Sequence, residues 1–191
     1  MRHFFAYINR MRFIQRWALM RNSYSENIQE HSHQVAVLAH ALALIRRDIL
    51  HLPGPDPDRC AVAALYHDAS EILTGDMPTP IKYYNPDIRD AYKAVEQVAE
   101  AKLLSMLPEE LRPTYEDALH PADPEIAELV KAADKLSAHI KCLEELKAGN
   151  NEFRQAAAQT AAAMDEMQLP ELTYFRETFL PSFQLTLDEL E

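Results

Sequence analysis

Apolar residues along the chain recur at steps of three and four almost throughout, and no stretch alternates over the length of a strand. The pattern predicts helices. One stripe, Val35, Leu38, Leu42 and Ile45, belongs to a helix that opens at the capping residues Ser25-Glu26-Asn27 and runs to about Asp48. Extended back one turn, the stripe meets His31, which therefore faces the core, while His33 and His40 fall on the solvent side. A longer stripe, from Ile126 through Leu129, Val130, Ala133, Leu136 and Ile140 to Leu143, follows the cap Asp123 and the first-turn Pro124, and carries Asp134 at its edge. Between these two, the unbroken run Cys60 to Leu65 reads as a buried helix. It is capped by Asp56, begun by Pro57, and expected to continue to about Leu73 before Thr74-Gly75 stops it. Phe4 to Arg16 reads as a first helix with its apolar side at Met11 and Ile14. Asp87 to Leu107 reads as another, with a face of Tyr92, Val95, Val98, Ala99, Lys102 and Leu103. A short helix from Pro108, an alanine-rich one from Asn150 to Met167 and an amphipathic one from Leu169 to Glu191, interrupted at Pro181, complete the chain. The expectation is an all-α helical bundle, one domain over residues 1–191.

Composition narrows the function. Nineteen basic against thirty acidic residues give a net charge of −11, which argues against polymeric nucleic acid or an anionic membrane as a partner. An anionic substrate would have to be drawn by a local site. Cys60 and Cys142 lie in helical patterns without a CxxC partner, and read as buried free thiols of a reducing compartment. No apolar run reaches the length of a membrane span and no signal peptide is evident, so the expected location is the cytoplasm.

The chemistry centres on Tyr66-His67-Asp68-Ala69-Ser70-Glu71, which closes the apolar run. An imidazole and two carboxylates in five positions are unusual on a buried helix, because an uncompensated polar group there is costly. On a helix, His67 and Asp68 point about 100° apart and could grip one ion from two sides, with Glu71 a turn further on. The alternative is a hydrogen-bonded core histidine with two solvated acids. Taken with His31 and Asp134, the inward polar groups are two imidazoles and two carboxylates from three helices. That set suits one divalent transition ion such as zinc, cobalt, manganese, nickel or iron(II). Trp17, the sole tryptophan, follows Arg16 and on its own reads as a core residue beside a surface arginine.

The order His31, His67-Asp68, Asp134 resembles that of the HD-domain metal phosphohydrolases. The surrounding residues narrow the resemblance: Arg16-Trp17, Met20-Arg21-Asn22, Glu26-Asn27 and Glu30-His31-Ser32, then Leu73-Thr74-Gly75-Asp76-Met77-Pro78-Thr79-Pro80, Lys141 to Leu146 and Gly149 to Phe153. Together with the central motif these resemble the bacterial YfbR-type 5′-deoxynucleotidases over nearly the whole chain. The resemblance implies metal ligands at His31, His67, Asp68 and Asp134, a catalytic acid at Glu71, and a phosphate-orienting Arg16. It implies nucleotide contact by Trp17, by Asp76, Met77, Pro78 and Thr79, and by His31. It further implies hydrolysis of deoxyribonucleoside 5′-monophosphates with little base preference, selection against ribonucleotides, and a homodimer. Two alternatives stand beside it. One is a relative acting on triphosphates, cyclic dinucleotides or alarmones, which would need more cations than Arg16, Arg21 and Lys82 supply. The other is a non-catalytic nucleotide-binding regulator, which would have no use for Glu71. Lys135, next to Asp134, is expected to point to solvent.

Overall fold

The structure, a computed structural model, describes residues 2–78, 81 and 84–190. Helices follow in the order α1 (Phe4–Ile8), α2 (Ile28–Leu44), α3 (Pro57–Tyr66), α4 (Glu71–Thr74), α5 (Pro86–Ser105), α6 (Arg112–Leu119), α7 (Pro124–Lys147), α8 (Arg154–Met167) and α9 (Pro170–Thr178). Short 3-10 pieces join several of them, and no strand forms among the described residues. None of these helices is long and apolar enough to cross a membrane.

The start of α2 follows from its sequence. The Asn27 side chain accepts the Glu30 N–H, and the Glu30 carboxylate accepts the Asn27 N–H, each at 3.0 Å. This reciprocal capping box satisfies two of the donors that a helix start leaves open. Asp56 and Asp123 cap α3 and α7 in the expected way, each followed by proline at the first position.

The main core lies among α2, α3, α7 and α9 and holds Val35, Leu38, Leu42, Ala64, Leu129, Leu136 and Leu172. A second cluster, Phe4, Ala69, Leu103, Leu107 and Leu119, packs beneath the turn that follows α3. A third, Cys142, Phe153 and Ala157, carries Trp17 and Met20 against it. Both cysteines are buried and free.

The structure departs from the sequence expectation in five places, one of them the last helix, which ends at Thr178 with only 3-10 turns following at Leu180–Gln184 and Leu187–Glu189. The first helix ends at Ile8, passes through a 3-10 turn at Asn9–Phe13, and is extended by Ile14. There the chain pairs with the start of α2: Arg16 N–H donates to Glu26 O at 2.9 Å, and Ile28 N–H to Ile14 O at 3.0 Å. The apolar run of α3 is only half buried. Cys60, Ala63 and Ala64 face inward, whereas Val62 and Leu65 are 46% and 41% exposed. On α5 the expected face merges two sides of the helix. Tyr92, Ala99 and Leu103 are buried with Glu100, while Val95, Val98 and Lys102 are exposed. Finally, α3 stops at Tyr66, short of the expected Leu73.

Candidate metal centre

Four residues after Tyr66 make a tight turn rather than a further turn of α-helix. Its backbone bonds run three residues back: Ala69 N–H to Tyr66 O at 3.0 Å and Glu71 N–H to Asp68 O at 3.0 Å. Ala69 is fully buried in the second core and pins this turn from below. His67 and Asp68 are thus presented from a helix end, and Glu71 begins α4, itself buried.

His31 comes from the first turns of α2, with no exposure, and Asp134 from the middle of α7. His31 Nε2 lies 3.2 Å from Asp134 Oδ1 and 3.6 Å from Asp68 Oδ2, and His67 Nε2 lies 3.1 Å from Asp68 Oδ2. One ligand atom each from His31, His67 and Asp134 fall within 4.8 Å of one another. Three helical elements therefore bring all four expected ligands together.

The other ring nitrogens show how the imidazoles are held. His67 Nδ1 donates to Ala64 O at 2.8 Å, since a carbonyl can only accept. His31 Nδ1 lies 3.2 Å from Ser137 Oγ, whose hydroxyl donates to Gln34 Oε1 at 2.7 Å, leaving a Ser137 lone pair for the His31 N–H. In both rings Nε2 is then the nitrogen turned to the site. Both Nε2 atoms are buried and lack a hydrogen-bond partner among the described residues. A bare nitrogen lone pair facing a carboxylate oxygen is unfavourable, so each Nε2 calls for a proton or a metal cation between it and its aspartate. The donor set, two imidazoles and two carboxylates with no thiolate, fits a borderline divalent ion.

The charges agree. Burial, with help from Arg16, pushes the His31 pKa down against the pull of Asp134. Burial alone would raise both carboxyls, but His67 outweighs it at Asp68, and His31 and Lys135 outweigh it at Asp134. Both stay ionised well below the usual carboxylate range.

Around this cluster the first loop supplies a cation. The Arg16 guanidinium, 12% exposed, donates from one terminal nitrogen to Asp68 Oδ2 at 3.4 Å and from Nε to Glu26 Oε2 at 3.0 Å. Arg16 is therefore no surface arginine. Trp17 lies on Phe153 with ring centroids 5.3 Å apart, and its backbone is left-handed, with φ 59°. Asp76, after α4, lies near the Trp17 backbone N–H and the Arg16 guanidinium, so the two loops face one another. Met77 and Pro78 follow, half-buried, whereas Thr79 and Lys82 lie outside the described residues.

Two expectations about cations change. Lys135 Nζ bonds Asp134 Oδ2 at 2.9 Å with its side chain a third exposed, so it sits at the cluster edge, between the site and solvent. Arg21 has a side chain 94% exposed and pairs with Glu152, away from the cluster. Sequence reasoning also passed over Glu26, Ser137 and Gln34. Glu26 stands in the sequence as a residue near a helix start and in one of the family-like segments, with no role of its own, and Ser137 lies one turn past Asp134 on α7.

A family model described as 5′-deoxynucleotidase YfbR-like matches residues 3–183. A 5′-deoxynucleotidase of Vibrio cholerae is 53% identical over 191 residues, with 98% of this chain and 97% of the relative covered. A 5′-deoxynucleotidase of Erwinia tasmaniensis is 51% identical over 190 residues, with 98% and 96% covered. Among solved structures, an HD-domain phosphohydrolase from Listeria innocua is similar, with a TM-score of 0.81 at 22% identity, covering 95% of this chain and 88% of that one. The cyanophage S-2L HD phosphohydrolase DatZ, bound to dA and one catalytic Zn2+ ion, is similar with a TM-score of 0.66 at 21% identity, covering 93% and 96%. These two share the fold.

Proposed function

The chain belongs to the YfbR-like 5′-deoxynucleotidase family, and on that premise we propose that it hydrolyses deoxyribonucleoside 5′-monophosphates to deoxynucleoside and inorganic phosphate at the His31, His67, Asp68 and Asp134 cluster. The observation that carries this reading is the convergence of two buried Nε2 atoms and two carboxylates from separate elements, a donor set that a divalent ion would satisfy. Curated relatives at about half identity carry the 5′-deoxynucleotidase name, and a structural neighbour binds dA beside a zinc ion.

A divalent ion held by these four residues, with cobalt, manganese and zinc as the candidates, supplies Lewis acidity toward phosphate and makes water nucleophilic near neutral pH. The protein's own groups do the rest. Arg16 offers a planar fork of five N–H donors, of which Asp68 and Glu26 take two, and the others suit phosphate oxygens. Lys135 adds a second positive charge at the cluster edge. Glu71 takes the proton of the attacking water as the new P–O bond forms. It returns a proton to the 5′ oxygen as the old bond breaks. Trp17 and the segment 76–78 enclose the sugar and disfavour a 2′ hydroxyl, with little demand on the base. The enzyme acts in the cytoplasm as a homodimer of one-domain chains, which light scattering on the purified protein would check.

Asp134→Ala tests the ligand set. Metal content and phosphate release should fall together; a variant that keeps one metal per chain and its turnover would overturn the assignment.

A further inference from the structure

We propose that Glu26 is a positioning residue for nucleotide recognition, fastening the phosphate-binding arginine and the sugar-facing tryptophan into one unit. The proposal rests on the nucleotidase reading above. Its geometric basis is a single atom. Glu26 Oε2 accepts from Arg16 Nε at 3.0 Å and from Trp17 Nε1 at 3.1 Å. The residue is 8% exposed, so neither bond is diluted by water.

The carboxylate has no other task at that place. Its position just ahead of α2 suggests a helix cap, but Asn27 and Glu30 already form the complete capping box. Nor is it only a counter-charge for Arg16. An ion pair alone would not need the indole donor on the same oxygen.

The backbone adds to this. The pairing of residues 14–16 with 26–28 fixes the register between Arg16 and Glu26 before any side chain is considered. Trp17 then adopts a left-handed conformation that bulky residues rarely take. Such a conformation persists only when the surroundings over-determine it. Here the indole is held by Glu26 and Phe153, and the carbonyl by Asn22 and the Met20 N–H. Glu26 is the one of these partners that also hydrogen-bonds Arg16. A shift of its carboxylate therefore moves phosphate and sugar contacts together.

Trp17 is the sole tryptophan, so its fluorescence reports on this contact without any label. The test uses metal-loaded wild type, Glu26→Gln, Trp17→Phe and the double variant. Each is measured for acrylamide quenching where Trp17 is present, for metal content, and for kcat/KM on dAMP against AMP. Glu26→Gln should keep its metal, raise the quenching of Trp17, and narrow the dAMP-to-AMP ratio by about tenfold, the worth of a charge-assisted hydrogen bond. Trp17→Phe keeps the ring but removes the donor, and should narrow the ratio similarly, with little added by combining the two changes. Unchanged quenching in Glu26→Gln overturns the proposal. So does an intact ratio with only a lower Tm, or ratio losses that multiply in the double variant. If the wild type releases phosphate from neither nucleotide, the nucleotidase reading fails, and the sugar-selection half of the proposal with it. The quenching comparison decides the Glu26–Trp17 link independently.

Discussion

Glu71 and the four clustered side chains are all buried or half-buried acids and imidazoles, yet they should respond differently to removal. Glu71 is buried on the first residue of α4, one tight turn past Asp68. If its task is proton transfer, Glu71→Ala should retain metal and bind substrate while kcat falls by roughly 10²–10⁴. Metal analysis beside steady-state kinetics separates this from the Asp134→Ala outcome. Loss of metal in Glu71→Ala would make it a ligand. At this scale the sequence was most readable where a residue sat on a long periodic helix. His31 and Asp134 could be aimed inward from the stripes of α2 and α7 alone. Arg16 could not, because its inward turn depends on Glu26 and Asp68, ten and fifty-two positions away in the chain.

Among the elements, the turn from Tyr66 to Glu71 and the loop after α4 decide the site's shape. Continuous helix was expected there because the apolar run flows into the motif without a breaker. Hydrogen bonds three residues back, and Ala69 sinking into the second core, end α3 instead. Surface apolar residues misled in the same way. Val62, Leu65, Val95 and Val98 extend helical patterns on sides that this chain does not bury. The stop at Gly75 was legible, and its backbone shows why glycine is needed. Its φ of 75° and ψ of 162° fall where residues with a Cβ are strained, although a Cβ would meet nothing within 4 Å. Tyr92 Oη donates to Gly75 O at 3.1 Å and holds that conformation. Gly75→Ala should therefore cost about 1–3 kcal/mol of stability through backbone strain alone. It should also raise KM, since Asp76 follows directly. Urea unfolding and KM for dAMP check the two effects; unchanged values for both would show that the loop tolerates another conformation.

For the whole molecule, the three cores each fix one part of the site. The main core holds His31 and Asp134, the second holds the His67–Glu71 turn, and the third holds Trp17. The third is joined to the first loop by a buried ion pair. Glu145, with no exposure, accepts from Lys141, from Asn150 at 2.8 Å and from the Ser23 N–H at 2.9 Å, while Lys141 Nζ also donates to Tyr24 O. Burial would raise the Glu145 pKa, but these donors outweigh it and hold it at about 2, against an ordinary value of 4.5. A carboxyl depressed on folding stabilises above its unfolded pKa and loses that contribution as pH falls through the folded value. The contribution, up to roughly 3 kcal/mol, should therefore be complete above pH ~5 and fade toward pH ~2. Glu145→Gln should be markedly less stable than wild type at pH 7, with the Tm gap closing as pH drops toward 3. A gap independent of pH would show that the charge on Glu145 is not what stabilises this network.

On the proposed function, a divalent ion at the histidine and aspartate cluster would make this chain a nucleotidase that prefers deoxyribose. The most direct measurement is inorganic phosphate released from paired deoxyribo- and ribonucleoside 5′-monophosphates by chelator-stripped protein, before and after adding cobalt, manganese or zinc. The stripped enzyme should be silent, at least one of these ions should restore activity, and every deoxyribonucleotide should release phosphate faster than its ribose counterpart. Undiminished activity after stripping, or equal release from the two sugars with every metal, would contradict the proposed function.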